Sequence, residues 1–356
     1  MQCYQKDKRI FFVIFSFFAV FFTSSLSLAQ TPTIEEILNL PEEKIDIAYA
    51  AFVISKGVNP NFDINKYLKQ IDEVADSLRE KIDKPTIFHK QGSPGRAIQV
   101  INSYLFMETG FVSVENEWRT FFLNEVIDEK KGSCLGLSIF YLCLAQKLNL
   151  PVYLVAAPKH YFVRYDNGEF KENIETTMQG LDLPDSYYWR AYHISPESIK
   201  KGVYLRNLSK KETIARLLTA RGSIFAEKGK NNKALSDFSL AMKFSRNNPE
   251  ILFNKAIVYC KGKQWNKAIN LLDRVILLDP RFAEAYRTRG VAYALKGKTN
   301  KAIENYNQAI KLDPNNASAY ALRGQAYKKI GKLEKAKKDF DKFVKLKKAM
   351  RENEQQ

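Results

Sequence analysis

Two residues of this 356-residue chain, Cys134 and His160, could together perform nucleophilic chemistry. Cys134 follows Gly132 and Ser133 and opens an apolar run that reaches Leu148. We therefore expect it in the first turn of a buried helix that Ser133 caps. A thiolate at a helix N-terminus is stabilised by the helix dipole and by free backbone N–H groups. A histidine within hydrogen-bond reach can accept the thiol proton and later pass it to a leaving group.

The histidine is predicted to lie on a strand that follows the cysteine helix. Residues 152–157 form an apolar strand, and the chain resumes as a strand over residues 160–165 after a short interruption. Asp166-Asn167-Gly168 is a strong hairpin signal, after which residues 169–177 return as the next strand. The order is thus a helix that bears cysteine followed by antiparallel strands that bear histidine.

The hairpin predicts which residue stands opposite His160. With a two-residue loop at positions 167–168, Glu175 faces His160 directly and Asn173 lies one diagonal step away on the same face. A three-residue loop places Ile174 opposite instead, because a one-residue slip turns the strand over. A carboxylate or amide beside a histidine fixes its tautomer and supports the imidazolium. Glu175 is therefore the predicted third member of the site, and Asn173 is the alternative.

The remaining cysteines and aromatic residues suggest no second site. Cys143 lies nine residues after Cys134, on the opposite side of the predicted helix, which favours a packing role. The chain lacks a close Cys/His pair at zinc-ligand spacing, and we predict no metal or other cofactor. An aromatic cluster at residues 187–192 has no assigned role.

The first 29 residues are predicted to be a secretory signal peptide. Three basic residues between positions 6 and 9 precede an apolar run over residues 10–22, and Ser27-Leu28-Ala29 offers small residues for a signal peptidase. The run is shorter than the roughly 20 residues that cross a bilayer. We predict cleavage after Ala29, no membrane span in the remaining chain, and a periplasmic or secreted location. Three cysteines then remain, so at least one thiol is free.

Charge is unevenly distributed along the chain, whose net charge is +17. Residues 206–356 hold 34 Lys and Arg against 14 Asp and Glu, which leaves 22 and 25 for residues 1–205. We interpret the basic half mainly as a solvated, lysine-rich helical surface, and an anionic envelope component is a further candidate partner. An exported protein without a base-reading motif is not expected to bind nucleic acid.

A period of 34 residues governs the chain after Arg206, as shown by Tyr259, Tyr293 and Tyr327. The predicted units are residues 215–248, 249–282, 283–316 and 317–350, with a linker at 206–214 and a polar tail at 351–356. The spacing resembles the tetratricopeptide repeat, which stacks into an all-α solenoid with a groove that binds protein or peptide partners. One departure is Asn248-Pro249, where the proline comes about three residues late.

One position of the repeat is basic in every unit. The residues are Arg221, Lys255, Arg289 and Arg323. We expect them to pack within the repeat or to lie on its surface, and a position in the groove is the alternative.

Several motifs between residues 132 and 180 form one pattern. They are Gly132-Ser133-Cys134-Leu135-Gly136-Leu137-Ser138, Tyr141, Leu144-Ala145, Leu150-Pro151, Pro158-Lys159-His160-Tyr161-Phe162-Val163-Arg164, Asn173-Ile174-Glu175 and Gly180. This pattern resembles the bacterial transglutaminase-like superfamily, in the branch that carries C-terminal tetratricopeptide repeats. The similarity covers roughly residues 35–205. It implies an α+β, papain-like core in which a cysteine helix packs on an antiparallel sheet.

The resemblance also implies roles for the three site residues. Cys134 would be the nucleophile, His160 the base and Glu175 the orienting acid, where the family most often has aspartate. With residues 30–205 as the transglutaminase-like domain, we expect an exported cysteine-dependent acyl-transfer enzyme, either an amide or peptide hydrolase or a transglutaminase-type enzyme. Its repeats would bind a partner or substrate. The alternative is a non-catalytic envelope binding or scaffold protein with a degenerate core.

Overall fold

The computed structural model describes residues 32–84, 93–114 and 117–354. The predicted signal peptide at residues 1–29 lies outside the described residues. Within the described part, an α+β region precedes an all-helical array, which confirms the predicted fold class. In these three stretches no helix is both long and apolar enough to cross a membrane.

The α+β region combines α-helices of 5 to 20 residues with two small sheets. Its helices are α1 (Ile34–Asn39), α2 (Ile47–Lys56), α3 (Ile64–Asp83), α4 (Pro94–Asn102), α5 (Leu123–Glu129), α6 (Cys134–Lys147), α7 (Asp185–Ala191) and α8 (Pro196–Lys200). Its strands are β1 (Val112–Ser113), β2 (Lys131–Gly132), β3 (Val152–Ala157), β4 (His160–Asp166) and β5 (Lys171–Ile174). Strands β1 and β2 pair in parallel, and β3, β4 and β5 form an antiparallel sheet in that order.

Helix α6 forms the centre of the core because it is apolar on nearly every side. Every residue from 135 to 145 is buried. The helix begins at Cys134, after Ser133, whose hydroxyl accepts the N–H of Gly136 at 3.1 Å. A Cβ at Gly136 would lie 2.0 Å from the carbonyl oxygen of Thr120, so glycine alone allows the helix start to approach that segment.

The turn between β4 and β5 differs from the prediction. Asp166 pairs with Lys171, so the loop has four residues. Asn173 pairs with Arg164. The predicted direct pairing of His160 with Glu175 was therefore wrong, and so was the three-residue alternative. The physical reason is an Asx turn, since the side-chain oxygen of Asn167 accepts the N–H groups of residues 169 and 170 at 3.1 and 2.7 Å.

The error in register leaves Glu175 on the predicted face. A loop of four residues instead of two shifts the pairing by two positions, and side chains alternate with a period of two. Tyr161 and Val163 join α6 in the main core, whereas Phe162 packs with Tyr188 in a cluster on the other face. His160 shares that second face with Phe162, and the chain around α7 covers it.

The helical array consists of four antiparallel helix pairs over residues 210–354. The pairs are α9 (Lys210–Glu227) with α10 (Asn231–Phe244), α11 (Pro249–Lys261) with α12 (Trp265–Leu278), α13 (Ala283–Leu295) with α14 (Thr299–Leu312), and α15 (Ala317–Lys329) with α16 (Leu333–Glu354). A Cβ at Gly290 would lie 2.5 Å from the ring of Tyr306, which shows why small residues recur where the paired helices cross.

The first helix pair packs into the core of the α+β region. Helix α9 begins at Lys210, inside the residues predicted as a linker, and Leu208 donates its N–H to the carbonyl oxygen of Leu154 at 2.9 Å. Ile214 and Leu218 are fully buried in the same cluster as α6. At the other end, α16 extends through Glu354, into the residues predicted as a polar tail. The junction is therefore a packed interface rather than a flexible segment.

The recurrent basic position forms bonds between neighbouring helices of the array. Arg221 and Arg323 each make two hydrogen bonds to an aspartate 16 residues further on, at 2.7 and 2.8 Å. Arg289 donates to the equivalent Asn305 at 2.7 Å, and Lys255 donates to Ser239 in the preceding pair at 2.9 Å. These bonds are the packing contacts within the array that the sequence predicted for this position.

Candidate active site

Cys134 occupies the first position of α6, where it is half-buried and has a free thiol. In the first turn of a helix the backbone N–H groups have no intrahelical acceptor. Ser133 takes the N–H of Gly136, and the backbone N–H of Cys134 has no acceptor within the helix. The sulfur thus lies beside a helix N-terminus that can stabilise negative charge.

His160 is the first residue of β4 and is 8% exposed. Its Nε2 lies 2.8 Å from Oε2 of Glu175, so Nε2 carries a proton that the carboxylate accepts and Nδ1 is left for Cys134. Burial alone would lower the pKa of His160. The hydrogen bonds to Cys134 and Glu175 and the charges of these two residues outweigh burial and raise the pKa to about 9.

Glu175 follows β5 directly and is 1% exposed. Its Oε2 accepts bonds from His160 and from the hydroxyl of Tyr188 at 3.1 Å, and its Oε1 accepts the N–H and hydroxyl of Thr177 at 3.0 and 2.6 Å. Burial would raise the pKa of Glu175, but the hydrogen bond and charge of His160 and the two bonds from Thr177 lower it below its ordinary value. The carboxylate is therefore ionised at neutral pH and held on both oxygens.

Short polar contacts hold the cysteine helix and the acid in one frame. Ser138 of α6 and Thr176, the neighbour of Glu175, share a hydrogen bond of 3.1 Å between their hydroxyl groups. The carbonyl oxygen of Glu175 accepts the N–H of Gly180 at 2.9 Å. Gly180 has φ of +81°, and a Cβ there would lie 2.4 Å from the side chain of Asn102, so this position requires glycine.

Two tyrosines that the sequence left without a role line the histidine. The ring of Tyr192 stacks on His160 with centroids 5.0 Å apart at 14°, and Tyr188 stacks on Phe162 at 3.8 Å. Tyr188 also donates to Glu175. The aromatic cluster at residues 187–192 was a visible signal, but its connection to His160 depends on how α7 folds back over the sheet.

Asn173, the alternative third member, belongs to a different cluster. Its side-chain oxygen accepts Nε of Arg164 at 2.7 Å, and its amide donates to Leu183 and Asp185 at 2.7 and 3.0 Å. The structure thus brings Cys134, His160 and Glu175 together. The side-chain oxygen and nitrogen of Asn173 are both bonded to other groups.

The other two described thiols lack these partners. Cys143 is 1% exposed, and burial raises its pKa well above the ordinary value. Burial also raises the pKa of Cys260 to about 11. Across residues 32–84, 93–114 and 117–354, no three His, Cys, Asp or Glu side chains are arranged to hold a metal ion.

Comparison with known families agrees with this organisation. A family model described as the transglutaminase-like superfamily matches residues 65–219. Models of the tetratricopeptide repeat match residues 257–297, 292–331 and 317–350. These matches confirm the predicted order, a transglutaminase-like domain followed by tetratricopeptide repeats.

The chain is also similar to individual proteins. A UPF0162 protein of Xylella fastidiosa (strain Temecula1 / ATCC 700964) is 22% identical over 257 residues, which cover 70% of this chain and 89% of that protein. UPF0162 protein BU173 of Buchnera aphidicola is 22% identical over 63% of this chain and 82% of its own length. Among solved structures, a crystal structure of MamA is 25% identical, with a TM-score of 0.37, over 39% of this chain and 81% of MamA.

Proposed function

We propose that this chain, a transglutaminase-like domain joined to tetratricopeptide repeats, is an exported cysteine-dependent acyl-transfer enzyme. Cys134 is its nucleophile, His160 its base and Glu175 its orienting acid. The observation that carries the proposal is the bond of 2.8 Å between Nε2 of His160 and Glu175, which leaves Nδ1 as the ring nitrogen that can serve the neighbouring Cys134. This is the arrangement that a thiol nucleophile requires.

Acylation of the enzyme begins with transfer of the Cys134 proton to Nδ1 of His160. Since the pKa of His160 is about 9, the ring keeps that proton at neutral pH. The sulfur then attacks the carbonyl carbon of an amide or peptide bond, and the backbone N–H of Cys134 is one donor to the resulting oxyanion. His160 returns the proton to the departing amine, the carbon–nitrogen bond breaks, and a thioester on Cys134 remains.

The second half of the reaction releases the acyl group from Cys134. His160 removes a proton from water or from an amine, which attacks the thioester carbonyl while the sulfur leaves and takes a proton back. Water gives hydrolysis, and an amine gives transfer or cross-linking. Glu175 stabilises the imidazolium in both halves without moving, because it is held by bonds on both oxygens.

The repeats and the N-terminus support the rest of the proposal. The repeat array suggests a protein-interaction role, and we propose that it binds a protein partner or the substrate protein. The signal pattern of residues 1–29 supports export to the periplasm or beyond the cell. The excess of Lys and Arg after residue 206 supports contact with an anionic envelope component.

Alkylation by iodoacetamide tests the activation of Cys134 with two thiols of the same chain as internal controls. Mass spectrometry of peptides after short exposure at pH 6 to 10 gives a rate for each cysteine. We expect Cys134 to react roughly 100-fold faster than Cys260 at pH 6, since Cys134 is paired with His160 whereas burial raises the pKa of Cys260. His160→Asn is expected to remove most of that advantage, and Cys134→Ala is the blank.

Two outcomes decide between the enzyme and the scaffold alternative. A Cys134 that reacts no faster than Cys260 at any pH contradicts the enzyme and favours a binding protein with a degenerate core. If Cys134 is activated, incubation with envelope extracts followed by mass analysis of Cys134 peptides is expected to show a thioester adduct whose mass identifies the acyl donor. His160→Asn is the matched control, because it retains the thiol but lacks the base.

A further inference from the structure

The residues on both sides of His160 are bound by the repeat array. The hydroxyl of Tyr161 donates to Oε2 of Glu250, in the first turn of α11, at 2.6 Å. The ammonium group of Lys159 pairs with Glu284, in the first turn of α13. The two residues that flank His160 are therefore bonded to two different helix pairs of the array.

These contacts come from a single position of the 34-residue repeat. Arg216, Glu250 and Glu284 are 34 residues apart, and the guanidinium of Arg216 lies over the ring of Tyr161 at 6.0 Å. We call these three residues the clamp row. Three successive helix pairs thus direct the same position at the start of β4, and the equivalent residue of the fourth pair is Ser318.

The contacts of the clamp row differ in burial. Lys159 and Glu284 are 71% and 29% exposed in their side chains, so water and salt screen this pair. Tyr161 and Arg216 are 7% and 4% exposed and Glu250 is half-buried, so the contacts around Tyr161 are better shielded from water than the pair of Lys159 with Glu284. We therefore assign the stronger hold on β4 to the bond between Tyr161 and Glu250.

The anchor of that bond is itself rigid. Asn248 is 1% exposed and caps α11, with its side-chain oxygen accepting the N–H groups of Glu250 and Ile251 at 2.9 and 3.4 Å. Pro249 occupies the first helical position. The late proline, which broke the repeat pattern in the sequence, thus belongs to the turn that presents Glu250 to Tyr161.

We propose that Glu250 is a positioning residue for His160 and acts through Tyr161; this inference rests on the proposed function of the Cys134 site. Side chains alternate along a strand, so Tyr161 and His160 lie on opposite faces of β4. Holding the hydroxyl of Tyr161 stops the strand start from rotating about its axis. The imidazole then stays aligned between Cys134 and Glu175, against the rings of Tyr188 and Tyr192.

Four variants separate the contact from its charge. Tyr161→Phe removes the hydroxyl and keeps the carboxylate, and Glu250→Ala removes the acceptor. Glu250→Gln removes the charge but keeps an oxygen that can accept the hydroxyl. Glu284→Ala is the matched control, because it lies at the same repeat position but its pair is exposed.

Two readouts are measured on the full chain. One is the rate of Cys134 alkylation as a function of pH. The other is the titration of His160 by NMR in histidine-labelled protein, which is tractable because the chain has three histidines. The ionisable groups that face His160 are Cys134, Glu175, Tyr188 and Tyr192.

We expect Tyr161→Phe and Glu250→Ala each to slow alkylation roughly tenfold, because small misplacements of a catalytic group have large effects on rate. The double variant should be no slower than either single variant, since both remove one bond. Glu250→Gln and Glu284→Ala should stay within about twofold of wild type. The titration midpoint of His160 should fall in the two slow variants alone.

When Cys134 is activated, two results would overturn the inference. Glu250→Ala with wild-type alkylation and titration would show that the contact positions nothing. Glu250→Gln as slow as Glu250→Ala would indicate a field effect instead of a contact. If wild-type Cys134 is no more reactive than Cys260, the proposed function fails separately. The titration of His160 then decides the inference, and an unchanged midpoint in Tyr161→Phe and Glu250→Ala contradicts it.

Discussion

Two polar clusters lie on one face of the β4–β5 pair. Both join a buried basic residue to an acceptor, and they differ in whether every nitrogen of the basic residue is bonded to a structural group. Each has a buried basic residue on β4, His160 or Arg164, and an acceptor on or just past β5, Glu175 or Asn173. Arg164 uses Nε and both Nη atoms in bonds to protein groups. His160 has one ring nitrogen bound to Glu175 and the other left for Cys134. A buried cation whose nitrogens are all bonded is typical of a structural role, whereas a ring nitrogen left beside a thiol is what the proposed chemistry of Cys134 requires.

The largest effect on stability is expected in the Arg164 cluster, where Nε and both Nη atoms are bonded. Arg164→Leu should lower the free energy of unfolding by about 3–5 kcal/mol, because it leaves several acceptors unpaired in and near the core. Alkylation of Cys134 in the folded fraction should change less than threefold. Urea unfolding measures the loss of stability. Lys171→Leu is the control, since the pair of Lys171 with Asp185 is exposed. A large loss of thiol reactivity would mean that the two clusters are not independent.

The cluster of Cys134, His160 and Glu175 should instead make the stability of the protein depend on pH. The pKa of His160 is raised from 6.5 to about 9, so its stabilising contribution is complete below pH 6.5 and is lost as the pH rises through 9. The contribution is on the order of 3 kcal/mol, since one pKa unit corresponds to about 1.4 kcal/mol. Urea unfolding of wild type and His160→Gln from pH 6 to 9.5 measures it. If the free energies of unfolding of wild type and His160→Gln change with pH in the same way, the raised pKa of His160 is contradicted.

A smaller effect is expected when Glu175, the acid of that cluster, loses its charge. Glu175→Gln should slow alkylation of Cys134 at pH 7 about 30-fold, equivalent to about 2 kcal/mol, because the amide cannot stabilise the imidazolium as a carboxylate does. The pKa of His160 should fall toward 6.5. Glu172→Gln is the control, because Glu172 pairs with Tyr165 and lies on the opposite face of β5. Equal rates in the two variants would remove Glu175 from the site.

The smallest effect is expected at Asn173, which accepts a hydrogen bond from Arg164 and not from His160. Asn173→Ala should cost about 1–2 kcal/mol of stability through its bonds to Arg164 and Leu183, and should leave the alkylation rate of Cys134 unchanged. Thermal unfolding and peptide mass spectrometry measure the two quantities. A rate reduced as far as in Glu175→Gln would make Asn173 the orienting residue.

Local patterns predicted most of the elements that carry the site. The cap at Ser133 and the apolar run after it located the start of α6, and this start agrees with the structure. The 34-residue period predicted the four helix pairs. The hairpin was the local failure, because the side chain of Asn167 closes a longer turn than the Asn-Gly pair suggested.

Long-range contacts decided what local patterns left open. Both Asn173 and Glu175 lie on the face of His160, and only the packed structure shows that Arg164 engages the first and His160 the second. The stacking of Tyr192 on His160 likewise depends on where α7 lies, which no periodicity encodes.

The sequence by itself determined that a cysteine opens a buried helix, that a histidine opens a strand, and that 34-residue repeats follow. Capping, alternation and repeat period are properties of neighbouring residues, so they can be read along the chain. The tertiary structure alone decided that Glu175 holds the imidazole and that Glu250, 89 residues from Tyr161, holds the next residue of the strand. Those contacts depend on how the two domains pack, because burial makes each polar group require a partner wherever the fold provides one.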